Sequence, residues 1–167
     1  KTDIPLATIV VKKGPWPYAV ALCAKWVHRV KYNPVLLRGD GEHSLQALLR
    51  EVVERLKRGG VQAELDKTTR DSHQSIGHAE KAYDTLACAV RTIGAQIHKN
   101  VGVWVNPRSR LFTWLLRHAC YLVLNHWRTA NGQTRVQRWG GAECRDRLCM
   151  FGEKVQMKIT DIHSQSK

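Results

Sequence analysis

No C-x-x-C pair links the five cysteines of this chain, Cys23, Cys88, Cys120, Cys144 and Cys149. Their odd number and scattered spacing argue against a secreted disulfide framework. Three of them fall within apolar helical runs, where a reduced thiol behaves as a small hydrophobe. Cys144 and Cys149 have no His pair near them in sequence, so no zinc site is expected there. Long hydrophobic runs are also missing. The most apolar stretch, residues 111–124, is interrupted by Arg117 and His118 and is too short to span a bilayer. The amino terminus carries no basic stretch leading into an apolar core and a small-residue cleavage site, so no secretory leader is expected. Neither an internal repeat nor a low-complexity tract occurs. Acidic residues are in deficit: 14 Asp and Glu stand against 27 Lys and Arg, for a formal net charge of +13. Such a surplus favours a polyanionic partner, nucleic acid before an anionic membrane or an acidic protein.

The 167 residues suit one domain or a domain with a short appendage, and the 43% hydrophobic and 25% charged fractions are those of a globular chain. The chain opens on Lys1 rather than Met and is expected to be part of something longer. Residues 6–11 form a β-branched apolar run closed by Lys12, Lys13 and Gly14, and read as a strand. Ala19, Leu22, Cys23, Trp26, Val27 and Val30 recur at three- and four-residue steps, which predicts a helix over 18–30 opened by Pro15 and Pro17. A short strand over 34–37 follows, then a helix over 44–56 built on Leu45, Leu48, Leu49, Val52, Val53 and Leu56. Gly59 and Gly60 stop it, and residues 61–65 read as another strand. This alternation of strand and helix predicts an α/β domain with crossover connections. Residues 67–77 read as a polar loop, 78–98 and 108–128 as two long helices, and Asn131-Gly132 as a turn. Alternation of Val155, Met157 and Ile159 predicts a terminal strand within 152–162. Most of the six tryptophans are expected in the core. Trp104 and Trp139 lie in loop-like sequence and are candidates to anchor an interface.

Two carboxylates stand out by position. Asp40 follows an apolar strand at its carboxyl end, where α/β sheets place their chemistry. Glu80 falls in the predicted first turn of the helix after the polar loop, and the D-x39-E spacing allows sheet and helix to bring both acids to one edge. Simpler roles stay open: Asp40 as the cap of the next helix, and Glu80 as a first-turn acid favoured by the helix dipole. His78, beside Glu80, reads as a solvated residue at the helix start.

Residues 35–42, Val-Leu-Leu-Arg-Gly-Asp-Gly-Glu, resemble the second-aspartate strand of the integrase catalytic core of LTR retrotransposons. His43 follows that run where many relatives have Pro, and residues 72–82, Ser-His-Gln-Ser-Ile-Gly-His-Ala-Glu-Lys-Ala, are similar to the family's loop-and-glutamate segment, with Ile76 where an Asn is usual. The helix over 111–128 with Asn131 to Thr134, and the Phe151-Gly152-Glu153-Lys154-Val155 run, resemble the passages that follow the core. The resemblance implies an RNase H-like α/β fold, truncated at its amino end, with extra carboxyl-terminal helices and a short β-element. It divides the chain into a core-like region at 1–104, a helical extension at 105–139 and a small β-element or tail at 140–167.

In that family two cations about 4 Å apart drive phosphoryl transfer, and Mg²⁺ or Mn²⁺ is implied for an intact parent. Asp40 and Glu80 match its second and third metal-binding carboxylates. No residue matches the first, and Asp3 is no substitute, so this chain is expected to hold no metal and to catalyse nothing alone. The resemblance further implies DNA as partner, at Lys81, Arg91, Arg108, Arg110, Arg128, Arg135 and Arg138, and a nuclear or cytoplasmic location. Around the carboxyl-terminal arginines only Glu143 and Asp146 are acidic, which suits phosphate contacts that position DNA without reading sequence. The same surface also fits a solvated face or docking onto an acidic protein. A non-catalytic structural subunit of a larger assembly is the alternative.

Overall fold

The computed structural model describes residues 5–66, 73–146 and 148–156. Its elements are α1 (Pro17–Val30), β1 (Val35–Leu37), α2 (His43–Arg58), β2 (Ala63–Leu65), α3 (His73–Val101), α4 (Arg110–Asn125) and α5 (Arg135–Arg138). The architecture is mixed and mostly helical. β1 and β2 pair in parallel, Val35 with Ala63 and Leu37 with Leu65, so α2 is the crossover of a β-α-β unit, the connection a parallel pair requires. At the start of the ladder, Gln62 N–H donates to Asn33 Oδ1 at 3.0 Å and Val35 N–H to the Gln62 carbonyl at 2.8 Å, which fixes the register.

α1 begins with Pro17 in its first turn, where the missing N–H costs nothing. It ends at Lys31 in the left-handed region (φ 57°). Val20, Ala24 and Val27 pack on Val52, Val53 and Leu56 of α2 and on Ala63 of β2. Gly39, between β1 and α2, packs closely on α2: a Cβ there would sit 2.7 Å from Leu49 Cδ1, so that side chain would have to shift. A second core joins α3 to α4 through Leu86, Ala89, Ile93, Leu115, Ala119 and Val123, with Ala7 and Phe151 packed against it. Leu56 and Leu115 are each completely enclosed, and burying such a side chain stabilises by about 1.5–3 kcal/mol. The two helices sharing this core lie on opposite sides of the 104/105 boundary read from sequence.

Contacts among the described residues connect the cores. The Arg117 guanidinium on α4 donates to the Tyr18 hydroxyl of α1 at 2.7 Å, and Trp26, Arg29 and Val30 of α1 meet Leu124 and Trp139 around a small cavity.

Three expectations are corrected. Residues 6–11 form no strand: they run irregularly, Ala7 turns toward the second core, and Val11 is 88% exposed. β-branched residues fit a pleated surface, but a strand exists only where a neighbour offers a ladder. Second, α3 starts at His73, within the stretch read as a loop, so Glu80 lies two turns into the helix rather than in its first turn. Third, Trp16, Trp104, Trp114 and Trp127 are exposed and none of the six tryptophans is buried. The predicted terminal strand is absent as far as Gln156, and residues 157–167 lie outside the described residues, as do 67–72 of the predicted polar loop.

Candidate functional site

The carboxyl end of α4 and the turn after it build a basic cleft against α3. α4 starts at Ser109, whose hydroxyl caps the helix by accepting from Phe112 N–H. It finishes at Asn125, three residues short of the sequence-predicted end, and this places Trp127 and Arg128 in the connection beyond the helix. Arg128 and Thr134 then form an antiparallel bridge across a tight turn in which Gly132 takes φ 77° and Thr129 N–H donates to the Gln133 carbonyl at 2.9 Å. Thr134 is the N-cap of α5 in a capping box: its hydroxyl accepts from Gln137 N–H at 3.3 Å, and its own N–H donates to Gln137 Oε1 at 2.8 Å. The box orients α5 so that Arg135 and Arg138 face α3.

The resulting cavity has a volume of about 450 Å³ and is lined by Lys81, Ala82 and Thr85 of α3, Trp127 to Ala130, Arg135 and Arg138. Four of the seven residues predicted to touch DNA therefore converge here, and no lining residue is acidic. Arg128 is held in place by Nη1 donating to the Gly132 carbonyl at 2.8 Å and by Nη2 donating to Glu143 at 2.6 Å. Arg135 donates to the Val123 carbonyl at the end of α4, at 3.1 Å. The other three predicted contacts lie elsewhere. Arg91 is exposed ten residues further along α3, roughly 15 Å at the helical rise. Arg108 and Arg110 are exposed at the opposite end of α4 from Arg128, roughly 24 Å along the same rise. Trp127 was missed by sequence reasoning, which placed it inside a helix as a core residue. The signal was local: an aromatic beside Arg128, four residues before the Asn of an Asn-Gly turn.

The segment beyond α5 is tied back to α4. The Tyr121 hydroxyl donates to Asp146 Oδ2 at 2.8 Å, and the Cys144 thiol lies 3.4 Å from the phenol oxygen and 3.3 Å from the same carboxylate. The thiol and then the carboxylate push the Tyr121 phenol well above its usual range, and the same phenol draws Asp146 below its own. Cys149 is exposed, with no metal-holding cluster of three His, Cys, Asp or Glu among the described residues.

Asp40 follows β1, and Glu80 lies within α3. Asp40 is exposed after β1, where its Oδ1 accepts from Glu42 N–H at 3.1 Å and its carbonyl from Gln46 Nε2 at 2.6 Å. These bonds turn the chain into α2. Glu80 is exposed on α3, which packs on α4. No hydrogen bond or ion pair among the described residues connects the two acids, and no third ligand gathers with them. The side chains of Ile76 and His78 lie outside the described residues. A larger concavity of about 770 Å³ borders the sheet near Leu36 and Gln62 and brings together only Lys57 and Glu64 as charged groups. Among the described residues, no helix is long and apolar enough to cross a membrane.

Comparison of the chain with protein-family models, curated proteins and solved structures finds no match.

Proposed function

We propose that this chain binds nucleic acid through the phosphate backbone, without sequence preference and without cutting or joining strands. The observation that carries the reading is the convergence of Lys81, Arg128, Arg135 and Arg138 on one cavity whose lining contains no acid. A net charge of +13 adds long-range attraction for a polyanion. The segments resembling a retrotransposon integrase core, with its RNase H-like fold, DNA as partner and Mg²⁺ in the intact parent, point the same way in ancestry. The cleft differs from such a core in offering cations where strand transfer needs a cage of carboxylates.

Phosphate binding releases condensed counterions, so affinity falls steeply as salt rises. Fluorescence anisotropy with a labelled oligonucleotide between 50 and 200 mM salt, as conditions of roughly the physiological range, tests the proposal. With Arg128 offset by Glu143, three engaged cations predict a log–log slope of about −2 to −3. Lys81→Glu and Arg138→Glu each lower affinity for all sequences alike. A flat salt response, or charge reversal without effect, overturns it.

A second reading, a structural subunit of a larger assembly, is favoured by exposed apolar side chains where α3 gives way to α4. Val101, Val103, Trp104 and Trp114 are all more than 60% exposed, and contiguous exposed apolar patches mark protein contacts. Light scattering on the isolated chain separates the two: a stable monomer that binds oligonucleotide supports the first, aggregation without affinity the second.

A further inference from the structure

Resting on that reading, we infer that the ligand of the basic cleft is an unpaired strand, one of whose bases stacks on Trp127. Proteins that read duplex DNA insert a convex element, a helix or a two-stranded ribbon, into a groove of the double helix. The site here is the reverse: a concavity between α3 and the α4–α5 connection. Its volume of about 450 Å³ falls in the range of about 300–1,000 Å³ that encloses a small ligand, which suits a nucleotide and not a double helix. Cations come from both walls, Lys81 from α3 and Arg128, Arg135 and Arg138 from the opposite side.

Trp127 lies among these cations. The residue is 43% exposed, and among the described residues no other ring stacks on it. A cationic groove with an aromatic platform is the arrangement that holds single strands, because every base has a π-face while the phosphates follow the charge. In a duplex the base faces are already covered by their neighbours, so Trp127 would contribute nothing. The shared chemistry is a splayed base flanked by phosphodiesters, available from single-stranded RNA or DNA.

The test uses the full chain and labelled oligonucleotides of equal phosphate number: single-stranded DNA, single-stranded RNA, duplex DNA and an abasic strand. The expected result is that an intact single strand binds at least about fivefold more tightly than the abasic strand and the duplex, the tighter of the RNA and DNA arms naming the source. Trp127→Ala lowers single-strand affinity by about five- to 150-fold and leaves the abasic strand unchanged, while Trp127→Phe restores most of the loss. If Trp127→Ala does not fold, the comparison of intact with abasic strand on the unaltered chain decides. Equal affinity for duplex and single strand, or for intact and abasic strand, overturns this inference and leaves phosphate binding standing. Binding to none of the four at low salt removes both.

Discussion

Glu143 accepts a hydrogen bond from Arg128 Nη2 at 2.6 Å, so a carboxylate touches one of the cations that line the basic cleft. The carboxylate anchors the guanidinium and also cancels its charge. Both groups are about half exposed, so the pair itself adds little to stability. Its larger effect is on the potential of the cleft.

Glu143→Gln should therefore raise affinity for a labelled oligonucleotide, by roughly two- to fivefold at low salt, and steepen the log–log salt slope by about one. Anisotropy titrations at several salt concentrations measure both. Arg128 keeps its bond to the Gly132 carbonyl, so its position is retained in the variant. Unchanged affinity and slope would show that Arg128 takes no part in binding.

Thr134 is 2% exposed and is the buried polar residue that starts α5. Thr134→Ala removes the acceptor for Gln137 N–H and should cost about 0.5–2 kcal/mol in urea unfolding followed by circular dichroism. Because the capping box orients Arg135 and Arg138, oligonucleotide affinity should fall as well, under conditions where the chain is fully folded. Thr134→Ser keeps the hydroxyl and should recover both properties. Loss of stability with unaltered affinity would separate α5 from the binding surface.

Much of the fold is legible where period and punctuation agree. Apolar steps of three and four locate α1, α2 and α4 to within a few residues, and the Gly59-Gly60 stop isolates β2. The failures have one cause, which is that local pattern does not report neighbours. Residues 6–11 have strand composition but pair with no strand among the described residues. Residues 73–77 lack apolar period, yet they extend a helix that the packing of Leu86, Ala89 and Ile93 stabilises further along. The candidate site shows the same division. A surplus of arginine is visible by counting, but which arginines meet depends on α3 packing against α4, which brings Lys81 beside residues nearly fifty positions away. Sequence alone could not separate Arg128, Arg135 and Arg138 from Arg108 and Arg110, because one helix length divides them in space.

The two cores give a stability prediction. Leu56 sits in the α1–α2–β2 core and Leu115 in the α3–α4 core, and the two clusters share no residue. Leu56→Ala and Leu115→Ala should each cost about 2–5 kcal/mol through lost burial and the cavity left behind. Sites with no shared partners are additive to within about 0.5 kcal/mol. A double variant that departs from the sum by more than that, in equilibrium urea unfolding, would indicate coupling through the Arg117–Tyr18 bond.

His118 supplies a pH dependence whose sign can be worked out. It lies on α4 with its ring centroid 5.4 Å from that of Phe151, and partial burial lowers its pKa from the ordinary 6.5 by disfavouring the imidazolium. The unfolded chain therefore binds the proton more readily than the folded one, and stability falls as acid is added. The contribution of His118 is fully present above pH 6.5 and is lost progressively as pH drops from there through the lowered folded value. His118→Phe keeps an aromatic ring against Phe151 but removes the titration. Urea midpoints at several pH values between about 7.5 and 5, which span the usual histidine range, should decline less steeply for the variant than for the unaltered chain. Other histidines and carboxylates contribute to both curves, so the difference between them isolates this one group. Parallel curves would mean that the imidazole is as readily protonated in the folded chain as in the unfolded one, and that burial beside Phe151 exerts no electrostatic effect.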